Sequence, residues 1–190
     1  MPIVGKSTET TNTLRLWSAE ASDQLPANKD FRQYISEVRE ICQNVYPDDS
    51  TENGKYLRLK QQYFFVSAGI TALLKAHLRV YPNLNNLADK VAMQLNDTHP
   101  ILAIPELMRL LMDVYGYQRD KARANTQKTI AYTNHTVMSE ALEKWPVQYV
   151  QLLLPRIFMI IEEINRRFLS DVKKKFPKDE ALAQRVSIIK

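Results

Sequence analysis

Cysteine, histidine and glycine are scarce in this 190-residue sequence, and each scarcity excludes a class of protein. Cys42 is the only cysteine and there are three histidines, so the chain has neither a disulfide framework nor a cysteine-rich zinc site. A site that joins the three histidines is disfavoured because His77 falls on an apolar helical segment, not at a strand end. No metal is therefore expected, and the single thiol is typical of a reducing, cytoplasmic setting.

Glycine-rich loops, long apolar runs and a strong charge bias are also missing. The four glycines, at positions 5, 54, 69 and 116, are too far apart to form a phosphate-binding loop. No apolar run reaches the ~20 residues of a membrane-spanning helix, and the N-terminus lacks the features of a secretion signal. The 26 Lys and Arg exceed the 21 Asp and Glu by only five. We therefore expect neither a membrane nor a nucleic acid as partner.

The first half of the sequence combines one short strand with two helices. Apolar residues spaced by three and four from Phe31 onwards predict an amphipathic helix, capped by Asn28 and ended by Pro47. Turn-forming and acidic residues after it predict an exposed loop. The elements predicted for this half are a strand at 13–19, a helix at 31–45, a loop at 46–54 and a helix, buried on most sides, at 57–81.

The second half repeats a unit of strand, polar loop and helix, which predicts parallel strands covered by helices and hence an α/β architecture. Each unit has a short apolar or β-prone run, a polar break and then a helical segment. The two strands are predicted at 90–95 and 129–133, the polar breaks at 96–100 and 134–136, and the helices between Pro105 and Gly116 and after a Ser139 cap.

Two prolines divide the C-terminal part of the sequence. Proline is favoured at a helix start and disfavours helix in the residue before it. Pro146 and Pro155 therefore predict a short helix at 147–154 and a long helix at 155–176. The basic run at 173–175 falls in the last turn of the long helix, where cations favour the macrodipole, so it is interpreted as a solvated helix end.

Polar side chains follow both predicted parallel strands at the point where each strand ends. Asp97, Thr98 and His99 follow the first strand, and Asn134 and His135 follow the second. The carboxyl ends of parallel strands meet at one edge of a sheet, where ligands bind in open α/β folds. Carboxylate, imidazole, amide and hydroxyl groups together donate and accept hydrogen bonds, as sugar hydroxyls do. The pattern therefore indicates a site for a polyhydroxylated ligand.

Structural roles for the same residues stay open at this point. Asn96, Asp97 and Thr98 are also suited to cap the following helix, and each histidine to an ordinary structural position. Asp97 and His99 have the spacing of an acid–base pair, but no serine or cysteine nucleophile is placed to use it. Cys42 lies on the apolar stripe of its helix and is interpreted as a core thiol.

Longer blocks of sequence carry a family resemblance. They are Thr-Asn-Thr-Leu-Arg-Leu-Trp-Ser-Ala (11–19), Gly-Lys-x-Leu-Arg-Leu-Lys-Gln-x-Tyr-Phe (54–64), Gln-Leu-Asn-Asp-Thr-His-Pro-x-Leu-Ala-Ile-Pro-Glu-Leu-Met-Arg (94–109), Ala-Tyr-Thr-Asn-His-Thr-Val (131–137), Ala-Leu-Glu-Lys-Trp-Pro-Val (141–147) and Leu-Leu-Pro-Arg (153–156). Through these blocks the sequence resembles, essentially from end to end, the α-glucan phosphorylases that act on glycogen, starch and maltodextrin.

The resemblance implies a glycosyltransferase of the two-domain GT-B type, of which residues 1–190 would be a partial, Rossmann-like and helix-rich piece of the N-terminal domain. Such enzymes use pyridoxal phosphate and inorganic phosphate to release glucose 1-phosphate from an α-1,4-glucan. In the family, the lysine that holds pyridoxal phosphate belongs to a C-terminal domain, which this sequence does not contain. We therefore expect that the chain by itself binds no pyridoxal phosphate and is inactive.

The resemblance also implies roles for residues of the predicted strand-loop-helix units at 90–176. His135 resembles the histidine that contacts glucose and helps to stabilise positive charge at the anomeric carbon, with Asn134 beside it. Asp97 and His99 resemble polar wall residues of the same pocket.

Two further segments resemble functional parts of the family. Residues 47–54 resemble a flexible gate, in which Asp49 and Ser50 match gate residues, although Ser-Thr-Glu stands where family members often carry Asn and aromatic residues. Residues 28–46 resemble the tower helix that packs against a second subunit, which implies a homo-oligomer.

The alternative to part of an enzyme is a non-catalytic carbohydrate-binding or interaction module that has kept the fold and lost the chemistry. Binding of glucan without turnover favours this alternative only if no longer reading frame surrounds the sequence. Nucleic-acid binding through the basic C-terminal helix is disfavoured, because its signals are equally those of a solvated helix end.

Overall fold

The computed structural model describes residues 1–24, 26, 30–138 and 142–189 and has a helix-rich α/β fold. The strands are β1 (Pro2–Val4), β2 (Thr11–Thr13), β3 (Met93–Asn96) and β4 (Ile130–Thr133). The helices are α1 (Phe31–Gln43), α2 (Glu52–Leu78), α3 (Leu87–Lys90), α4 (Ala103–Arg109), α5 (Arg119–Thr129), α6 (Val147–Leu153), α7 (Pro155–Lys175) and α8 (Glu180–Val186). The predicted α/β class is confirmed, because β3 and β4 pair in parallel between helices.

The chain divides into two units, Met1–Ala76 and His77–Lys190. In the first unit, β1 pairs antiparallel with β2, and Met1 and Leu14 exchange two backbone hydrogen bonds of 2.9 Å beyond the last strand pair. The strand predicted at 13–19 is therefore wrong in its extent. In the part of the chain that the structure describes, residues 15–19 pair with no other strand, so their two-residue periodicity does not produce a strand.

The amphipathic helix predicted from Phe31 is confirmed as α1, with different ends. The Asp30 carboxylate caps it by accepting a hydrogen bond of 3.4 Å from the backbone N–H of Gln33; the predicted cap, Asn28, lies outside the described residues. The helix ends at Gln43, four residues before Pro47. No α1 residue is buried, although the Cys42 thiol contacts the backbone N–H of Ala19 at 3.2 Å.

The loop predicted at 46–54 is shorter in the structure, because α2 begins at Glu52. Thr51 caps α2: its hydroxyl accepts from the backbone N–H of Gly54 at 3.0 Å. Gly54 faces the preceding turn so closely that a Cβ there would lie 1.7 Å from the Asp48 carbonyl oxygen. The helix predicted at 57–81 is confirmed, but it is buried on fewer sides than expected, since most of its residues are half-buried.

The core of the second unit lies where α4 packs against α5 and α7. Leu107, Leu111 and Ile157 are at most 1% exposed there. The helix predicted between Pro105 and Gly116 is confirmed as α4 followed by a π-helical turn, Leu110–Val114. Gly116 ends it at φ +70°, a backbone conformation that glycine adopts without steric cost.

Helix α5 was not predicted from the sequence, because its buried stripe is made of small and polar residues. Ala122, Asn125, Thr126 and Thr129 are buried at the helical spacing of three and four. The hydroxyls of Thr126 and Thr129 donate to the carbonyl oxygens of Ala122 and Asn125 at 2.9 and 2.8 Å, which satisfies them away from water. Strand β4 therefore begins at Ile130, one residue after the predicted start.

The C-terminal helices predicted from Pro146 and Pro155 are confirmed as α6 and α7. The helix predicted after Ser139 is wrong for residues 142–146, which are not helical. Ser139 itself lies outside the described residues. Arginine–carboxylate pairs join α7 to its surroundings. Arg156 binds Asp113 through contacts of 2.7 and 2.8 Å and holds the pKa of that carboxyl below its ordinary value.

Glu163 of α7 lies at the centre of a second group of ion pairs. Hydrogen bonds from the guanidinium groups of Arg166 and Arg167 lower the pKa of Glu163 to about 2. Arg167 also binds Asp120 of α5 at 2.7 Å. These pairs tie the middle of α7 to the start of α5.

Candidate functional site

The two polar segments predicted to form a site follow strands that are hydrogen-bonded to each other. Met93 to Asn96 of β3 stand opposite Ile130 to Thr133 of β4, in parallel and in register. The ladder continues one residue further, because the backbone N–H of Asp97 donates to the Thr133 carbonyl oxygen at 2.9 Å. Asp97 and Asn134 therefore begin two neighbouring loops at the carboxyl edge of one parallel pair.

Side chains on one face of this pair are joined by two hydrogen bonds with the same offset. The Gln94 amide donates to the Thr133 hydroxyl at 2.6 Å, and His135 Nε2 contacts Asn96 Oδ1. Each bond links a β3 residue to the residue two places beyond its backbone partner. Successive side chains of a strand point to opposite faces, so Gln94 and Asn96 lie on the same face. The His135 ring therefore extends a polar row along the strand pair.

The backbone turns sharply immediately after β3. Asp97 has φ +68°, the left-handed region that is uncommon for a non-glycine residue, although aspartate tolerates it better than most. Its carboxylate accepts a hydrogen bond of 2.7 Å from the backbone N–H of Thr98. Within the described part of the chain, the buried Thr98 hydroxyl has no hydrogen-bond partner. Strained backbone of this kind is concentrated at functional sites.

His99 is paired with a carboxylate that the sequence did not indicate. His99 Nδ1 lies 3.2 Å from Glu143 Oε1, with the imidazole 57% exposed and the glutamate side chain 15% exposed. The contact spans 44 residues of sequence and brings the segment before α6 to this edge. Glu143 belongs to a block that carried the family resemblance, but nothing in its local spacing points to His99.

Asn134 organises its own loop. Its amide nitrogen donates to the Thr136 carbonyl oxygen at 2.6 Å, and its amide oxygen accepts from the Thr136 backbone N–H at 3.2 Å. Such side-chain bonds to backbone two residues on are typical of turns. The loop that carries His135 is thus shaped locally by Asn134, while the His135 ring itself is attached to β3 through Asn96.

Asp49 and Ser50, the predicted gate residues, lie in the first unit, in the turn before α2. Asp49 pairs with Arg58 at 3.7 Å, and its side chain is 57% exposed. Ser50 instead binds Asp48: hydrogen bonds from its hydroxyl and its backbone N–H hold the pKa of Asp48 below the ordinary value. The structure therefore shows Asp48, which the sequence did not single out, as the residue that shapes this turn.

The edge formed by β3 and β4 supplies carboxylate, imidazole and amide groups. Asp97 and Glu143 provide carboxylates, His99 and His135 imidazoles, and Asn134 an amide. In the described ranges, no three His, Cys, Asp or Glu residues are placed to share a metal ion. No helix in those ranges is long and apolar enough to cross a bilayer.

Comparison with known proteins places the chain in a family. The sequence model of the family described as carbohydrate phosphorylase matches residues 1–190. Glycogen phosphorylase of Bacillus subtilis (strain 168) is 46% identical over 179 residues, which cover 94% of this chain and 22% of that protein. The Haemophilus influenzae protein of the same name is 46% identical over 194 residues, covering 98% of this chain and 24% of the relative. The muscle form of glycogen phosphorylase from Mus musculus is 46% identical over 204 residues, which cover 99% of this chain and 24% of that protein. The chain thus spans about a quarter of the length of these relatives, and it belongs to the carbohydrate phosphorylase family.

Proposed function

We propose that this chain is part of an α-glucan phosphorylase, which transfers glucosyl units from an α-1,4-glucan to inorganic phosphate and forms glucose 1-phosphate. The chain would contribute part of the glucose pocket, and the edge formed by β3 and β4 would be one wall of it. Identities of 46% to proteins named glycogen phosphorylase support the reaction class. The single free thiol, Cys42, is compatible with a cytoplasmic protein.

One observation carries the assignment of the pocket to this edge. The parallel register of β3 and β4 brings Asp97 beside Asn134, and the Asn96–His135 contact attaches the second loop to the first strand. A glucose ring presents several hydroxyls that donate and accept hydrogen bonds at once. A convergent set of carboxylate, imidazole and amide groups at a parallel-sheet edge can meet both demands.

Within this proposal each edge residue has a role that its geometry permits. His135 contacts glucose and helps to stabilise the positive charge that develops at the anomeric carbon when the glycosidic bond breaks. Asp97, His99 and Asn134 bind hydroxyls or shape the wall. Asp49 and Ser50 are assigned to a gate on the resemblance of their segment.

Pyridoxal phosphate, the cofactor of the α-glucan phosphorylases that the sequence resembles, does not fit the side chains at this edge. The aldehyde of the cofactor requires a lysine amine and its phosphate requires cationic or N–H donors, whereas the side chains described above at this edge include two carboxylates and no amine. We infer that the cofactor and the reacting phosphate act from a part of the protein outside these residues. Since electrostatic stabilisation by a held anion dominates such catalysis, the chain alone is expected to be inactive.

A titration followed by NMR tests the pocket, and an assay tests the inactivity. Addition of maltooligosaccharide to the labelled chain should shift the ring signals of His99 and His135, and His135→Ala should weaken the binding. Leu152→Ser, at an exposed position of α6, serves as the matched control and should leave the binding unchanged. Unshifted ring signals at saturating sugar would contradict the pocket assignment.

The same purified chain, incubated with maltodextrin, phosphate and pyridoxal phosphate, should produce no glucose 1-phosphate above a heat-killed control. Turnover above that control would contradict the proposal that the cofactor and the reacting phosphate act from a part of the protein outside these residues. A non-catalytic carbohydrate-binding module would give the same two results. Sequencing of the DNA on both sides separates the alternatives, since an enzyme part requires that the reading frame continue into a segment with the cofactor lysine.

We further propose that α1 packs against a second copy of the chain. Its apolar stripe is at best half-covered, and Phe31 is 57% exposed. Burial of an apolar helix face provides about 25 cal/mol for each Å² removed from water, which favours association. Phe31→Glu should therefore lower the sedimentation-derived dimer fraction, whereas Leu152→Glu on α6 should not. A chain that is monomeric at all concentrations, or a dimer indifferent to Phe31→Glu, would argue against this interface.

A further inference from the structure

The side chain of Asn96 contacts the imidazole of His135, and neither the family resemblance nor the sequence pattern gave Asn96 a part in the site. His135 Nε2 faces Asn96 Oδ1, and the Asn96 backbone is held in the β3–β4 ladder opposite Thr133. The geometry points to Asn96 as a positioning residue that fixes the tautomer and the orientation of His135. Its consequence for sugar binding rests on the function proposed above; the tautomer itself does not.

The hydrogen-bonding capacity of the two side chains fixes which ring nitrogen carries the proton. A carboxamide oxygen only accepts hydrogen bonds, and a neutral imidazole carries one N–H. A hydrogen bond between Nε2 and Oδ1 therefore requires the proton on Nε2, which leaves a lone pair on Nδ1. In that state the ring can accept a hydrogen bond from a sugar hydroxyl at Nδ1, and it cannot donate one there.

Asn96 is well placed to act because its position is more rigid than that of its partner. Asn96 is the last residue of β3, and the backbone N–H of the next residue, Asp97, still donates to Thr133 at 2.9 Å. His135 lies on an exposed loop, two residues after the last residue of β4. A side chain anchored in the sheet can thus restrict the rotation of an exposed ring. The neighbouring Gln94–Thr133 bond has the same offset across the strand pair.

The experiment measures the ring nitrogens of His135 directly, in the 190-residue chain and without sugar. Long-range ¹H–¹⁵N spectra recorded near pH 9, well above the ordinary imidazole pKa of about 6.5, report the tautomer of the neutral ring. The wild-type chain should show the Nε2–H tautomer. Asn96→Ala should lower the ratio of Nε2–H to Nδ1–H about five-fold, the change expected for the loss of one hydrogen bond of ordinary net strength. Asn96→Asp retains an acceptor oxygen and should restore the wild-type ratio.

Gln94→Ala is the matched control, because it removes the equivalent bond one step back along the same face and should leave His135 unchanged. A wild-type ring in the Nδ1–H form, or a ratio that Asn96→Ala does not alter, overturns the inference. If Asn96→Ala does not fold, the wild-type tautomer still decides. A sugar titration distinguishes the proposed pocket from the role of Asn96. If Asn96 fixes the tautomer but sugar does not shift the His135 signals, the pocket alone is contradicted. If sugar binds but the tautomer does not depend on Asn96, the role of Asn96 alone is contradicted.

Discussion

His135→Ala should lower kcat about 100-fold in a chimera in which this chain replaces the matching 179 residues of the Bacillus subtilis glycogen phosphorylase. The chimera supplies the remainder of the enzyme, so the contribution of the chain to chemistry becomes measurable. In the proposed function His135 stabilises charge at the anomeric carbon, and removal of a preorganised polar group from beside such a charge typically costs a factor of about 10² to 10³. Initial rates of glucose 1-phosphate formation at varied maltodextrin concentrations give kcat and KM separately.

The separation of kcat from KM decides how His135 acts. A rise in KM with unchanged kcat would mean that the side chain binds substrate and transition state equally, which contradicts a role in charge stabilisation. Gln94→Ala, on the same face of β3 but one step from the edge, should leave both constants within about two-fold of the unsubstituted chimera. Circular dichroism of each variant confirms that the fold is retained.

Arg109→Met should lower the free energy of unfolding by about 3 kcal/mol, because it removes a bidentate guanidinium contact from a fully buried carboxylate. Glu106 is 0% exposed, and Arg109 binds both of its carboxylate oxygens at 2.7 and 2.8 Å. A bidentate pair of this kind is lost as a unit when either member is removed. Urea denaturation followed by circular dichroism measures the change.

Two variants test whether burial of the charge is the cause. Glu106→Gln combined with Arg109→Met also removes the buried negative charge that the guanidinium contacts, so the double variant should recover part of the loss. Arg166→Met removes a similar bidentate pair with Glu163, but that arginine side chain is 66% exposed, so water can replace it and the destabilisation should be much smaller. Equal losses for Arg109→Met and Arg166→Met would contradict the explanation.

Two kinds of sequence signal predicted correctly: the conformational preference of a single residue and the order of elements along the chain. Proline fixes φ and is favoured at a helix start, so Pro155 located the first residue of α7. Alternation of strand and helix predicted the parallel pairing of β3 with β4. Apolar periodicity failed for α5, where alanine, asparagine and threonine form the buried stripe and the threonine hydroxyls bind carbonyls within the helix. It failed again at 13–19, since periodicity says nothing about whether a partner backbone is present.

Part of the arrangement at the candidate site could be predicted from the sequence, and part could not. The adjacency of the two polar segments could be predicted, because residues that directly follow neighbouring parallel strands share an edge. Asn96 and Glu143 could not be predicted, because their contacts with His135 and His99 join positions 39 and 44 residues apart. Such contacts depend on the register of two strands and on the path of a loop, and neither is encoded in the spacing of nearby residues. The family resemblance pointed to His99 and His135 but not to Glu143 and Asn96, which contact them.

The close approach of Gly54 to the Asp48 carbonyl has a mechanical consequence for the turn that precedes α2. A methyl group would not fit between them, so the turn packs directly against the first turn of α2. The Thr51 hydroxyl contacts both parts: it donates to the Asp48 carbonyl oxygen at 3.4 Å and accepts from the Gly54 backbone N–H at 3.0 Å. We therefore expect displacement of the backbone around Asp49 to be coupled to fraying of the first turn of α2.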